Sequence, residues 1–541
     1  MRYLVVRLVT LVCALTVALT VATPAGAHNS GLPAVPLDNT NMTFHNNVPN
    51  LVGNSMAFFE RKLADGTLRR YLVAANFGDG FDIVDITDPH EPETVGRYLL
   101  GGPVSEPTDA VTKSSAGVNH HPWVDVNPTK NIVALSVEER GGATVRHAQD
   151  SGFGVQFVDI SDITNPTPLG RVDDLFGPHT LRMIGDNCVY TSVPTFIIDY
   201  SDPMNPTGGA QQAPPSLQGH EFYEDPNHPG RTYMGAATVP LGRFRILDTS
   251  DCAKPTVISE SPATTAISAA HEVYPAPDSS YVGVADFTQS GQTQTKCPGG
   301  GIHFYDISGR YRAGAGLLSP KLMGTWYAPF DGLGTTITAT QDVNHGPCTM
   351  HSWQMQLERE IALGGLYTGG TWVLDPSVTS PIGVVVAEEE RTTWGNTLGF
   401  NRDALDFVNA TQWYPFDATG SPDLEREVFV NGWERGLDTY TYTGPLPKKE
   451  ARLSAVQGDV GVITGKLDRH AVLTYEGWRN LPIAGATLMF STGDYSVEAV
   501  TGADGTYSVP LALPPGRYRV DVSWAGDDQF APNLNSLIIT V

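Results

Sequence analysis

Positive charge is scarce in this chain. Its 541 residues carry 34 Lys and Arg against 58 Asp and Glu, a formal net charge of −24. A surface of that sign argues against a nucleic-acid partner, and no basic cluster points to anionic lipid. Cysteine is rare too. Of the five, Cys13 lies in the N-terminal apolar segment, leaving Cys188, Cys252, Cys297 and Cys348. No Cys-x-x-Cys pair occurs, which disfavours a thiolate zinc site or a dithiol redox motif. The chain has no Gly-rich phosphate loop, no Gly-x-Ser-x-Gly elbow and no His-Glu-x-x-His helix. Past the first residues, no run is apolar enough to span a bilayer.

What is present begins with an address. Arg2 and Arg7 precede an apolar run from Leu8 to about Val21, and Ala25-Gly26-Ala27 follows. This reads as a secretory signal peptide over 1–27, so the protein is expected outside the cytoplasm, secreted or at the cell surface. Four cysteines in an exported chain permit two disulfides, and sequence leaves all three pairings open. Neighbouring positions along the repeat described next favour Cys188 with Cys252 and Cys297 with Cys348.

A short stretch recurs: "FDIVDITDPHEP" from Phe81, "VQFVDISDITNP" from Val155, "TFIIDYSDPMNP" from Thr195, "RFRILDTSDCAKP" from Arg243, "IHFYDISGRY" from Ile302 and "TWVLDPSVTSP" from Thr371. Each is a β-rich run, an aspartate, usually Ser or Thr two residues on, and a turn. The aspartates are Asp85, Asp159, Asp199, Asp248, Asp306 and Asp375. A carboxylate at a strand end accepts hydrogen bonds from the turn that follows, so they read as structural. Another β run lies upstream of each copy and a third downstream. With the strand before the first run, each unit has four strands. Such units, repeating about every 40–50 residues, predict a β-propeller. "EVFVNGWERGLDTYTYTG" from Glu427 is a weaker seventh copy, and "NMTFHNNV" from Asn41 is placed to complete its sheet. The expectation is all-β: a seven-bladed propeller over 40–445. After "GPLPKKEAR", read as a Pro/Lys linker, period-two strands separated by Gly/Asp/Pro turns predict a small Ig-like β-sandwich over 446–541.

The "DIVDITDP", "FVDISD" and "IIDYSDP" segments resemble the LVIVD-repeat family of exported propellers, over most of residues 50–390. In architecture and histidine placement the chain is more distantly similar to the selenium-binding protein and methanethiol oxidase group, propellers with a histidine-bound metal. "GADGTYSVPLALPPGRYRV" in the tail resembles bacterial Ig-like and carboxypeptidase-regulatory-like modules, which implies a spacer or surface-binding role.

One residue type keeps a constant place. In five units the first strand opens on a histidine: His121, His179, His220, His271 and His351. Each precedes one polar or small residue and then an apolar one. Asn54 in "GNSMAF" and Asn396 in "GNTLGF" fill the same frame in the outer units. First strands line a propeller's channel, so one register would turn five imidazoles toward the axis. With only 14 histidines in the chain, this pattern stands out. Imidazole suits copper, iron and zinc, and Glu221 and Glu272 follow two of the histidines as possible second-sphere acceptors, provided the strand is bulged. The plainer alternative is that channel histidines hydrogen-bond one another and trapped water. His90, His147 and His228 read as solvated, and His303 as belonging to an outer strand. Cys348 and His345 in "NHGPCTMH", and His28 at the expected mature N-terminus, carry less weight as ligands.

Two functions follow as expectations. One is a metal-dependent oxidoreductase on a small molecule, an extrapolation from the distant resemblance, with copper, iron or zinc as cofactor. The other is a non-catalytic extracellular binding or scaffold protein, whose propeller faces and tail engage a cell-surface partner. Neither calls for nucleic acid or a membrane span in the mature chain.

Overall fold

The computed structural model describes residues 38–541 except 50, 77–79, 101–118, 141–153, 174–177, 210–212, 237–241, 263–266, 268, 288–299, 328–349, 367–369, 377–395, 403–407, 419–421 and 433–434. The expected signal segment, His28, His147, Cys297, His345 and Cys348 lie outside the described residues. Among the described residues there is no α-helix, and no helix is long and apolar enough to cross a membrane.

Between Asp38 and Tyr442, seven antiparallel sheets follow one another among the described residues. In the first five, strands pair in chain order, as in Met56–Lys62, Leu68–Asn76, Gly80–Asp85 and Glu93–Leu99. The sixth gains a fifth strand, because Asp38–Thr40 pairs with Asn396–Arg402. The seventh is completed from the other end of the chain, with Met42–Val48 pairing to Gly436–Tyr442. The segment from Asn41 thus has the sheet-completing place read from its sequence.

First strands of successive sheets are neighbours in chain order, from Met56–Lys62 through to Val408–Trp413. The last meets the first: Gln412 Nε2 donates to Met56 O at 3.3 Å. Met56, Phe58, Ala410 and Phe429 share one buried cluster across that seam. Six first strands also face a common cavity, through Met56, Trp123, Arg182, Glu272, Trp353 and Thr411. Sheets arranged around one axis this way form a β-propeller.

The repeated aspartates do what their position implies. Asp85, Asp159, Asp199 and Asp248 each accept the backbone N–H two residues on, at 2.7–3.0 Å. Asp306 accepts four, from Ser308, Gly309, Tyr311 and Arg312. The turn after Asp375 lies outside the described residues.

One expectation fails. Asn396 does not head a first strand. It begins the fourth strand of the sixth sheet, opposite Asp375. The seventh sheet instead starts at Val408–Trp413, where Asn409 is the extra residue between Val408 and Ala410. First and fourth strands are both short apolar runs after loops, and only pairing with the third strand separates them.

Cys188 and Cys252 are disulfide-bonded, with Cα atoms 6.0 Å apart, tying the third sheet to a turn of the fourth. The second pairing falls outside the described residues.

From Arg452 onward two sheets face each other. One contains Arg452–Gln457, Val462–Thr474, Gly477–Pro482 and Thr506–Pro510, the other Tyr495–Val500, Thr487–Thr492, Arg517–Trp524 and Asn533–Thr540. Their inner side chains form one core, including Ile463, Leu467, Phe490, Val522 and Trp524. The Pro/Lys segment is anchored at Lys449. Lys449 is buried and ion-pairs with Glu425 and, at 3.7 Å, with Glu358 of the propeller. Arg469 of the tail reaches both Glu358 oxygens at 2.7 Å and Asp417 at 2.6 Å.

Candidate functional site

Among the described side chains, His179, His220, His271 and His351 come together. His179 and His220 have ring centroids 5.0 Å apart, His220 and His271 3.7 Å, and His271 and His351 4.6 Å. The four come from consecutive sheets, so the rings form an arc around the axis. His121 lies in the strand Asn119–Asn127, opposite Glu138. Phe287 closes one side of the arc, with its ring 5.1 Å from His271 and 5.8 Å from His351.

The backbone supplies the placement. In the fourth sheet pairing jumps from Gly219–Ala236 to Phe222–Met234, leaving His220 and Glu221 opposite a single residue, Gly235. In the fifth it jumps from Ala270–Asp286 to Val273–Val284, leaving His271 and Glu272 opposite Ala285. In the sixth His351 is the extra residue between Met350 and Ser352. These are β-bulges, which re-aim side chains that strict alternation would fix. Gly235 is required there: a Cβ would lie 2.5 Å from the carbonyl oxygens of Ala270 and His271.

His271 is the centre of the arc. It is 1 % exposed, and neither ring nitrogen has a hydrogen-bond partner among the described residues. Burial, then the neighbouring His220, His351 and His179, hold its pKa well below the ordinary 6.5. It is therefore a neutral imidazole with lone-pair capacity intact.

The bulges send the glutamates elsewhere than the sequence suggested. Glu272 Oε2 accepts the Trp353 N–H at 2.6 Å, and Glu221 Oε2 faces Arg182 Nε at 3.3 Å. Both carboxylates are thus engaged by groups other than the ring histidines. With Arg182 they form a charged layer beside the arc. Burial, partly offset by Arg182, pushes Glu221 up to about 7. Burial and the Glu221 charge raise Glu272 well above the carboxylate range. Burial works against the Arg182 charge, but Glu221 and nearby acidic groups more than offset it, so Arg182 stays ionised.

The other histidines sit as read, His303 in a third strand and His228 and His90 about half exposed. His303 is fully buried and its Nδ1 shares a 2.8 Å hydrogen bond with Thr325. His228 is about half exposed and bonds Asp225 at 3.0 Å. His90, read as solvated, stacks on His45, which no pattern in the sequence singles out. These two and Glu427 are the trio among the described residues whose ligating atoms all lie within 4.8 Å of one another. The axial rings are spread along an arc instead. The one sequence signal for the trio was that His45 sits on the sheet-completing segment.

Residues 70–99 match the family model described as the LVIVD repeat. They run from the second to the fourth strand of the first sheet. No curated protein matches the chain. Among solved structures, it is similar to the β-propeller domain of Cps50 (Swd1) from Myceliophteria thermophila, at 8 % identity and a TM-score of 0.43, over 71 % of this chain and 96 % of that one. It is also similar to the C-terminal WD40 domain of Sif2, at 7 % identity and a TM-score of 0.41, over 74 % and 98 %. The protein is an all-β molecule of the β-propeller class. Within that class, it carries an LVIVD repeat.

Proposed function

We propose that this is an exported, seven-bladed propeller whose axial histidines bind a transition metal, and that it acts as a metal-dependent oxidoreductase on a small molecule. Residues 446–541 form an Ig-like module docked to the propeller. The observation carrying the metal reading is His271. A buried imidazole with both nitrogens unpaired loses hydrogen bonds it would have in water, and a metal ion offers one nitrogen a partner. His179, His220 and His351 supply the neighbouring donors, with His121 heading the second sheet's first strand.

A bound copper or iron ion would supply the electron-transfer chemistry. The chain's own residues hold the imidazoles, exclude water through Phe287, and fix charge beside them. Glu272 and Glu221, with their raised pKa values, are placed to keep a proton near neutral pH, while Arg182 balances the ionised member of the pair.

The test is metal content. Untagged protein is reconstituted separately with copper, iron and zinc and analysed for bound metal. His179→Ala and His271→Ala are expected to lose one equivalent while keeping the fold, and His228→Ala to keep it. If the ring variants bind as much copper, iron and zinc as wild type, the oxidoreductase reading falls and the extracellular binding scaffold replaces it.

A further inference from the structure

A second group of metal-ligating side chains lies away from the axis, where the ring of sheets closes. His45 stands on the strand Met42–Val48, which enters the seventh sheet from the N-terminal side. Pairing breaks between Phe44 and Asn46, so His45 is the extra residue of a bulge. His90 comes from the turn after Gly80–Asp85 in the first sheet. Glu427 opens the strand Glu427–Gly432 and is buried. The two imidazoles stack with centroids 3.5 Å apart and planes 15° from parallel. Glu427 Oε1 lies 3.3 Å from His90 Nε2. The Thr441 hydroxyl is a hub, 2.6 Å from His45 Nε2, 2.8 Å from Glu427 Oε1 and 3.3 Å from His90 Nε2.

We propose that His45, His90 and Glu427 form a metal site for a divalent transition ion, zinc in the first instance, that clips the ring closed. Two imidazoles and one carboxylate are a zinc donor set, with water or the Thr441 hydroxyl available for the fourth position. Ligand atoms on tetrahedral zinc lie roughly 3.4 Å apart. The trio's atoms, all within 4.8 Å, are close to that spacing, and the stacked rings must splay apart for their in-plane lone pairs to converge on one ion. The His90 side chain is 47 % exposed and Glu427 1 %, which gives an entry path on one side and a fixed anionic ligand on the other.

The function follows from topology. His90 and Glu427 are 337 residues apart, on the first and last sheets, and His45 is on the strand that joins the chain's N-terminal side to the last sheet. These ligands meet only in the closed ring. An ion bound there therefore favours the closed ring by mass action. This site stands independently of the axial metal proposed above.

Zinc binding by the full-length chain tests it. Metal-stripped wild type, His90→Ala and His271→Ala are titrated with zinc chloride, and bound zinc is counted after gel filtration. His90 lies in a half-exposed turn, so its variant is expected to fold as wild type does. The expected result is one zinc equivalent fewer in His90→Ala than in wild type, with loss of the zinc-dependent rise in Tm. His271→Ala should retain the closure-site equivalent, which separates failure at the axis from failure at the seam. Equal zinc stoichiometry and equal zinc-dependent Tm shifts in wild type and His90→Ala would overturn the proposal. Should His90→Ala not fold, zinc-edge anomalous diffraction from wild-type crystals decides: a peak between His45, His90 and Glu427 supports the site, and its absence refutes it.

Discussion

The neutral state of His271 makes a prediction that needs no metal. Its pKa in the folded protein is held well below 6.5, chiefly by burial, whereas in the unfolded chain it has the ordinary value near 6.5. Below that pH the unfolded chain takes up a proton that the folded chain refuses. Stability is therefore complete above about pH 6.5 and is lost as pH falls below it. Each pH unit is worth at most about 1.4 kcal/mol, so falling from pH 7.5 to pH 5 should remove about 2 kcal/mol through this residue alone. His271→Asn removes the titration, and asparagine already occurs at the corresponding bulge of the seventh sheet, as Asn409. Urea unfolding of both proteins, followed by tryptophan fluorescence in the presence of chelator, isolates the effect. Other titrating groups are common to both, and the poorer packing of the smaller side chain adds mainly a pH-independent offset. Wild type should lose about 2 kcal/mol more than the variant over that range. A difference that stays flat from pH 7.5 to 5 would refute the reasoning, as would a His271 ring resonance titrating near 6.5.

Three further outcomes are expected. Replacing Cys188 and Cys252 together with serine should lower propeller stability by about 4 kcal/mol in the chain-entropy account, given their sequence separation of 64, read from the urea midpoint. Arg469→Ala should remove one charged partner from Asp417 and one from Glu358, which keeps Lys449, and weaken tail docking by roughly 2–3 kcal/mol, measured as faster proteolysis around residues 444–450 with no change in propeller unfolding. Asp306→Ala should cost about 3 kcal/mol by leaving the N–H groups of its turn unsatisfied. Burial pushes the Asp306 carboxyl up, but the N–H groups of Ser308, Arg312 and Tyr311 outweigh it and hold the pKa low. Its contribution is therefore present above the unfolded value near 3.8 and disappears as pH falls through the lower folded value, so wild type and Asp306→Ala should converge in strong acid.

The repeat was legible because its signals are local. Asp159 and Ser161 are two residues apart, and the hydrogen bond that makes the turn is between them. The histidine frame was legible for the same reason: each lies within two residues of where a first strand begins. Asn396 shows the limit. "GNTLGF" and "GNSMAF" look alike, yet one is a fourth strand and the other precedes a first strand, because pairing with a distant third strand decides the difference. Lys449 shows another limit. A lysine just after two prolines reads as part of a linker, but Glu358 and Glu425, some way back in the chain, enclose it. The seam trio was least legible of all, since no spacing rule links His45, His90 and Glu427.

The bulges connect these observations to the chemistry. In a regular strand His271 and Glu272 would point to opposite faces, and only one could serve the axis. The fifth sheet places both opposite Ala285, which breaks that alternation. His271 then packs between His220 and His351, while Glu272 reaches the Trp353 N–H of the next sheet at 2.6 Å. One extra residue thus provides an axial donor and a tie to the neighbouring sheet. The fourth sheet repeats the device with His220 and Glu221, whose carboxylate turns back to Arg182 of the third. The sixth repeats it with His351 alone, where Ser352 Oγ accepts the Thr411 N–H of the seventh at 3.2 Å. A bulge interrupts the ladder and leaves a residue unpaired, so a fold with no use for the re-aimed side chains gains nothing from repeating it. The device recurs at the head of four consecutive first strands, on a histidine in the fourth, fifth and sixth sheets and on Asn409 in the seventh, so the bulge belongs to the fold and the three histidines are what turn it into an arc of neighbouring rings.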